Sequence, residues 1–514
     1  MWLDPGDRDY YIAPLIDIWD AVQSSKNVQG SMIWAWVDDI FLVPGRDSEY
    51  GRGGIGQPEH LLDGIYHMPQ RGIVGDAPWG IVDGWRRKKP EFWHIKMLMS
   101  PVHLQERDLP AWKPGEPVTF TVDNRYEFTN LSQLSLEWSI GAQHGVLHPD
   151  IAPHTSGKVV IPVGSQTKPG DVLSLRFLDS KKQLVIPHRM QLGLAAVQIS
   201  TATKTEPLRY LHEAFWLGGP MERFIGNSEG DSFEIAFDGA NGRIRRALID
   251  RHSVLYGTPK LHVLPIEAAL NEFPIFETWR LTKPLEIHPV GDDYEVIETG
   301  AYRDFSGELR FRITPKGSLL VSYDFTYTGT DVRAREVGLQ FGVPLWCDKL
   351  QWRRRGEWTV YPDDHIGRND GIAMAHAPNA QTVPPTQPFA LDDTPIGTND
   401  FRSSKRNFVF AALSDKDGYG VGIEAVGSQH LRASVDASLI EVNVNDWFGG
   451  VGATAWGEWW QNYGQGREIR SDDPNEGVAH NKVSGSMQLY LLSPKNAAAW
   501  LKRVQAIPTV AETK

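Results

Sequence analysis

Asp38 and Asp39 are adjacent acids at the end of the short apolar run Met32 to Val37. Carboxylates at the end of a buried strand stand where α/β barrels place catalytic and binding residues. Successive strand residues point to opposite faces, so the two cannot serve one site as an acid/base pair, although one of them can line a sugar pocket. In the same run, Trp34 and Trp36 are expected to face opposite ways, one into a barrel interior and the other onto surrounding helices. The interior ring would offer a flat apolar face to the C–H side of a sugar. Trp456, Trp459, Trp460 and Tyr463 form another aromatic group among the glycines of 449–466, a loop that serves either as a stacking surface or as the lid of a sandwich.

Other suggestive strings carry less. Gly51, Gly53 and Gly56 match Gly-x-Gly-x-x-Gly, but no strand precedes them and Pro58 follows where a helix should start, so a loop is the expectation. Glu59, His60 and His67 match no metal-ligand spacing. The single cysteine, Cys347, excludes an internal disulfide and a cysteine metal site. A net charge of −12 argues against a nucleic-acid partner, despite Arg86-Arg87-Lys88-Lys89 and Arg353-Arg354-Arg355. No apolar run is long enough for a membrane, and the polar first residues carry no export signal, so cytoplasm is the expected compartment.

A chain of 514 residues calls for two to four domains. Leu15, Ile18, Trp19 and Val22 recur at helical spacing. Met32 to Val37 is expected to be a buried parallel strand. A second helix is expected over Pro90 to Met99, with Phe92, Ile95 and Met99 on its buried face and Lys88 and Lys89 outside it. This order suggests the last part of an α/β barrel, residues 1–110. After Pro110 the pattern changes to period two: Val118, Phe120, Val122; Leu134, Leu136, Trp138, Ile140; Leu173, Leu175, Phe177. These define a sandwich over 111–200. A polar linker near Ser200 to Pro207 leads to a large β domain, 201–514, with inward rows Leu309, Phe311, Ile313 and Leu319, Val321, Tyr323, Phe325, Tyr327.

Three ordered blocks carry a resemblance. Gly30-Ser31-Met32-Ile33-Trp34-Ala35-Trp36-Val37-Asp38 resembles the last barrel strand of glycoside hydrolase family 2 β-galactosidases. The segment from Gly80-Ile81-Val82-Asp83 through Arg86, Pro90 and Lys96 to Ser100-Pro101-Val102 is similar to the family's closing loop and helix. Val122 to Leu131 (VDNRYEFTNL) resembles the strand that opens its next domain. Weaker matches follow at Gly356 with Tyr361-Pro362-Asp363, at Gly397 to Arg402, and at Val444 to Gly452 then Trp456; Glu357, Thr359, Val360, Asp364 and Ser403 depart from the pattern. The resemblance implies a multidomain, mainly β chain: the C-terminal remnant of a TIM (β/α) barrel, an immunoglobulin-like β-sandwich and a β-supersandwich.

It further implies that Trp34 stacks on galactose and that Asp38 and Trp456 bind substrate. Retaining glycosidases need two carboxylates roughly 5 Å apart. The family's nucleophilic glutamate precedes the stacking tryptophan by about thirty residues, a count that reaches Leu3, and no glutamate occurs before Glu49. The chain is therefore expected to hold no catalytic carboxylate and no cofactor of its own, with Mg and Na belonging to the complete enzyme. The implied partners are a β-galactoside or related oligosaccharide, an upstream catalytic half or partner subunit, and a second copy in a homo-oligomer. Without such a half, 1–110 is not expected to fold stably. The alternative is a non-catalytic carbohydrate-binding or scaffold protein.

Overall fold

The computed structural model describes residues 12–28, 30–33, 35–38, 40–42, 73–75, 80–194, 207–212, 222–227, 232–265, 278–377, 386–449, 467–469 and 481–507. The protein is mainly β, in several antiparallel sheets. No described helix is long and apolar enough to cross a membrane.

The small sandwich follows its alternation. Val102–Leu104, Val118–Asn124 and Thr155–Ile161 pair in one sheet; Gln143–Leu147, Ser135–Ile140, Val172–Leu178 and Leu184–Gln191 pair in the other. Val118, Phe120, Val122, Leu136, Leu173, Leu175 and Phe177 fill the space between them. The polar residues of the VDNRYEFTNL block hold its turn. Asn124 Nδ2 donates to Thr129 O at 2.9 Å and Ile151 O at 2.8 Å, and Asn130 Oδ1 accepts from Ser132 N at 2.8 Å.

The large β region has a nine-stranded and a ten-stranded sheet. The first centres on His252–Pro265, Val332–Val343, Ile440–Phe448 and His430–Val435. The second includes Asp293–Ala301, Phe305–Ile313, Ser318–Tyr327 and Lys482–Leu492. One apolar cluster unites Leu309, Phe311, Ile313, Val321 and Phe325 with Val337, Leu339, Phe341, Val442 and Val444.

The N-terminal expectations need correction. The first helix forms, Ile12–Ser24, but Met32 to Val37 is no buried strand. Met32 is 99% exposed and Trp36 63%, and among the described residues the run pairs through a parallel bridge from Val37 to Val82. A parallel strand becomes buried when both faces are covered, and no described element covers Met32. The opposed facing of Trp34 and Trp36 also fails on geometry, because residues two apart on a strand share a face. Trp36 lies edge-on to Phe92 at 5.8 Å; Trp34 lies outside the described residues. The second helix, Pro90–Leu98, buries Glu91, His94, Met97 and Leu98, while Phe92, Ile95 and Met99 are half-buried. Lys89, expected outside, is buried because a carboxylate receives it.

Candidate functional site

Of the three substrate-binding candidates, Trp34 and Trp456 lie outside the described residues, as do Asp39, Gly51, Gly53, Gly56, Glu59, His60, His67, Trp459, Trp460 and Tyr463. Asp38 is described, and it is buried. Its Oδ1 accepts the Gly80 N–H at 2.9 Å and pairs with the Lys89 ammonium, which also donates to Gly80 O at 2.9 Å. Backbone bonds from Ile81 N to Ala35 O and from Val82 N to Trp36 O, both 3.1 Å, hold the two segments together. Gly80 is required there: a Cβ would fall 2.2 Å from the backbone of Val37 and Asp38.

This segment is fastened to the large β region. Asp83 accepts from the backbone of Trp85 and Arg87, both at 2.9 Å, and orients the Arg87 guanidinium, which forks onto Asp392 at 2.7 and 2.9 Å. Burial works against the Arg87 charge, but Asp392 and then Asp83 outweigh it and raise its pKa. Burial also dominates at Asp392, whose carboxyl is pushed up despite Arg87. Trp358 Nε1 donates to His94 Nδ1 at 3.0 Å, and His365 Nε2 lies 3.1 Å from Pro90 O.

Two segments of the weaker resemblance meet the stretch 365–369. Gly356 N donates to Asn369 Oδ1 at 2.7 Å, Thr398 caps the short helix Asn399–Arg402, and Asp400 takes the Arg368 fork at 2.9 and 2.8 Å. Ser403, which departs from the resembled pattern, is wholly buried and donates to Asp400 O at 2.9 Å.

A second polar assembly was missed by sequence reasoning. On the nine-stranded sheet, His262, Gly338, Asn445 and His430 are cross-strand neighbours, and so are Lys260, Gln340, Asn443 and Arg432. They occupy the face opposite the apolar row Leu339, Phe341, Val442 and Val444. Glu336 joins the two rows: Oε2 lies 2.7 Å from His262 Nε2, and Arg432 Nη2 lies 2.8 Å from Oε1. Burial opposes ionisation of Glu336, but Arg432 and then His262 outweigh it and hold the carboxyl well below the usual range. His430 is lowered to about 3 by burial, then by Arg406 and Arg354, and is neutral at pH 7. The Asn443 Oδ1 and both amide atoms of Asn445 are buried without a hydrogen-bond partner. Neutral amides beside a fixed Arg–Glu–His set suit a ligand rich in uncharged hydroxyls. The strand phase was present in Ile440 to Asn445, where apolar residues alternate with Glu441, Asn443 and Asn445, but such alternation is equally that of a solvated face.

Residues 120–200 match the family model described as β-galactosidase, domain 4, which supports a β-galactosidase-type family. No curated protein matches the chain. Among solved structures, a galactose 1-epimerase from Lactobacillus acidophilus NCFM is 7% identical, with 56% of this chain and 98% of that chain covered at a TM-score of 0.30. The GalM/aldose epimerase homologue from C. elegans is 8% identical, with 53% and 99% covered at 0.25. A TPR-domain containing protein from Parabacteroides distasonis is 9% identical, with 53% and 47% covered at 0.28. At such scores these likenesses carry no argument about fold or function.

Proposed function

We propose that the chain is the C-terminal part, or a subunit, of a glycoside hydrolase of family 2 acting on terminal β-D-galactosides. It brings accessory β domains and sugar-contacting residues to a site whose two carboxylates come from another polypeptide segment. The observation that carries this reading is the domain 4 match at 120–200, with a segment resembling a barrel's end fastened before it. In this reading 1–110 ends a TIM barrel, 111–200 is an immunoglobulin-like sandwich and 201–514 is a supersandwich. The apolar residues left open at the N-terminal segment, Ile18, Met32, Ile33 and Trp36, are the surface the rest of the barrel covers.

The chemistry then divides. The partner segment supplies an acid that protonates the leaving oxygen and a carboxylate that forms the glycosyl intermediate. Trp34 stacks on the sugar, and Trp456 is a further residue that binds it. Asp38 is a positioning residue, anchoring Lys89 and Gly80 and thereby the segment that precedes it. The described residues contain no group of three His, Cys, Asp or Glu able to hold a metal, so no step is assigned to Mg or Na here. Self-association into a homo-oligomer belongs to the same reading.

The purified chain is expected to release no chromophore from a nitrophenyl β-galactoside, and to form an active complex when mixed with a polypeptide carrying the preceding barrel strands. Failure to associate, or association without hydrolysis, would count against the proposal. Hydrolysis by the chain alone would count against it more heavily.

A further inference from the structure

The strand His252–Pro265 breaks its regular pairing once. Tyr256 is opposite Gly342 and Lys260 is opposite Gln340, so residues 257–259 bulge across from Phe341 alone. Gly257, at φ 76°, makes the swing, a conformation that disfavours a side chain. Beside the bulge lies a cavity of about 350 Å³ lined among others by Glu298, Trp279, Tyr302 and Lys260.

Glu298 is the anomaly. On Asp293–Ala301 it shares the inward face with Val296, and its cross-strand neighbour is the core residue Leu309. It is 0% exposed, and neither carboxyl oxygen has a hydrogen-bond partner. Gly242 makes room for it, since a Cβ there would stand 2.8 Å from the Glu298 Cδ. A carboxyl in an apolar interior with nothing to bond destabilises the fold. Burial raises the Glu298 pKa, with Arg243 opposing, and so favours the uncharged carboxyl, the form that both donates and accepts.

The remaining lining selects the ligand. Trp279 and Tyr302, with ring centroids 4.8 Å apart, give an aromatic wall. Around the opening, Arg243 and Lys260 are set against Glu441, a mixture that favours neither an anion nor a cation strongly. The volume stands at the low end of the ~300–1,000 Å³ typical of ligand pockets, enough for one ring rather than a chain. We propose that this cavity binds a single neutral hexose, with Glu298 bonding a hydroxyl and the Trp279 ring against its C–H face. The site belongs to the large sandwich alone and does not depend on the proposed glycosidase function.

The test is calorimetric titration and thermal melting of the full chain with D-galactose, D-glucose and D-galacturonate, on the natural protein and on Glu298→Leu. Saturable binding of a neutral hexose is expected. In Glu298→Leu the affinity should fall at least tenfold while the unliganded protein melts at a higher temperature, a pairing that a purely structural residue would not give. Should that variant fail to fold, Trp279→Leu and Tyr256→Ala, the latter at the exposed rim, replace it and are expected to weaken binding. The proposal is overturned if no neutral hexose binds saturably, which would leave the cavity to water, if galacturonate binds in preference, or if the variants bind like the natural protein.

Discussion

Arg432→Met is expected to destabilise the large β region by about 3–5 kcal/mol at pH 7, because it leaves the buried Glu336 carboxylate with His262 as its remaining close partner. The loss should depend on pH with a definite sign. In the natural protein the folded pKa of Glu336 is depressed, so its contribution is present above the unfolded value of about 4.3 and is lost as pH falls through the folded pKa. In Arg432→Met that contribution is reduced to what His262 and Arg335 supply, so the difference between the two proteins should shrink as the medium becomes acid. His430, neutral when folded and lowered to about 3, weakens both proteins alike as pH drops below about 6.5 and cancels in the comparison. Urea unfolding at pH 7.5 and pH 4 reads both quantities. A gap below about 1 kcal/mol at pH 7.5, or one that widens in acid, would show that Arg432 does not hold Glu336 ionised. The double variant Glu336→Leu/Arg432→Met should recover much of the loss, since replacing both partners with apolar groups removes the stranded charge.

Asp38→Asn is expected to act on order rather than on sugar contact. The substitution leaves the Lys89 ammonium, 2% exposed, without its carboxylate, at a cost of about 3–5 kcal/mol of local stability. Hydrogen exchange should lose protection at the amides of Ile81, Val82 and Lys89, while those of Phe120 and Val122 in the small sandwich keep theirs. If exchange stays unchanged and the affinity of a reconstituted enzyme for galactoside falls instead, Asp38 touches the sugar and its role as an anchor is wrong.

Much of the β architecture was legible because alternation reports burial directly. Val118, Phe120 and Val122, and later Leu319, Val321, Tyr323 and Phe325, point inward as their spacing says. Met32 to Val37 misled because a continuous apolar run signals burial only when neighbouring elements cover both faces, and pattern within one segment cannot supply them. Lys89 misled for a related reason. A lysine reads as a surface residue until its partner is known, and Asp38 lies 51 positions away in sequence. Glu298 was hidden inside a strand, Asp293–Ala301, where an inward carboxyl has no sequence signature apart from its phase with Val296. The polar face of His262, Glu336, Asn443 and Asn445 required the register of three strands, although Glu441, Asn443 and Asn445 already shared one phase.

The central claim is that this chain serves a glycosidase site without supplying its nucleophile. The most direct measurement is the intact mass of each polypeptide after the reconstituted complex is incubated with a 2-deoxy-2-fluoro-β-galactosyl fluoride, which traps the glycosyl intermediate of a retaining enzyme on its nucleophilic carboxylate. One fluorogalactosyl unit on the barrel-bearing partner and none on this chain is the predicted result; a fluorogalactosyl adduct on this chain would contradict it.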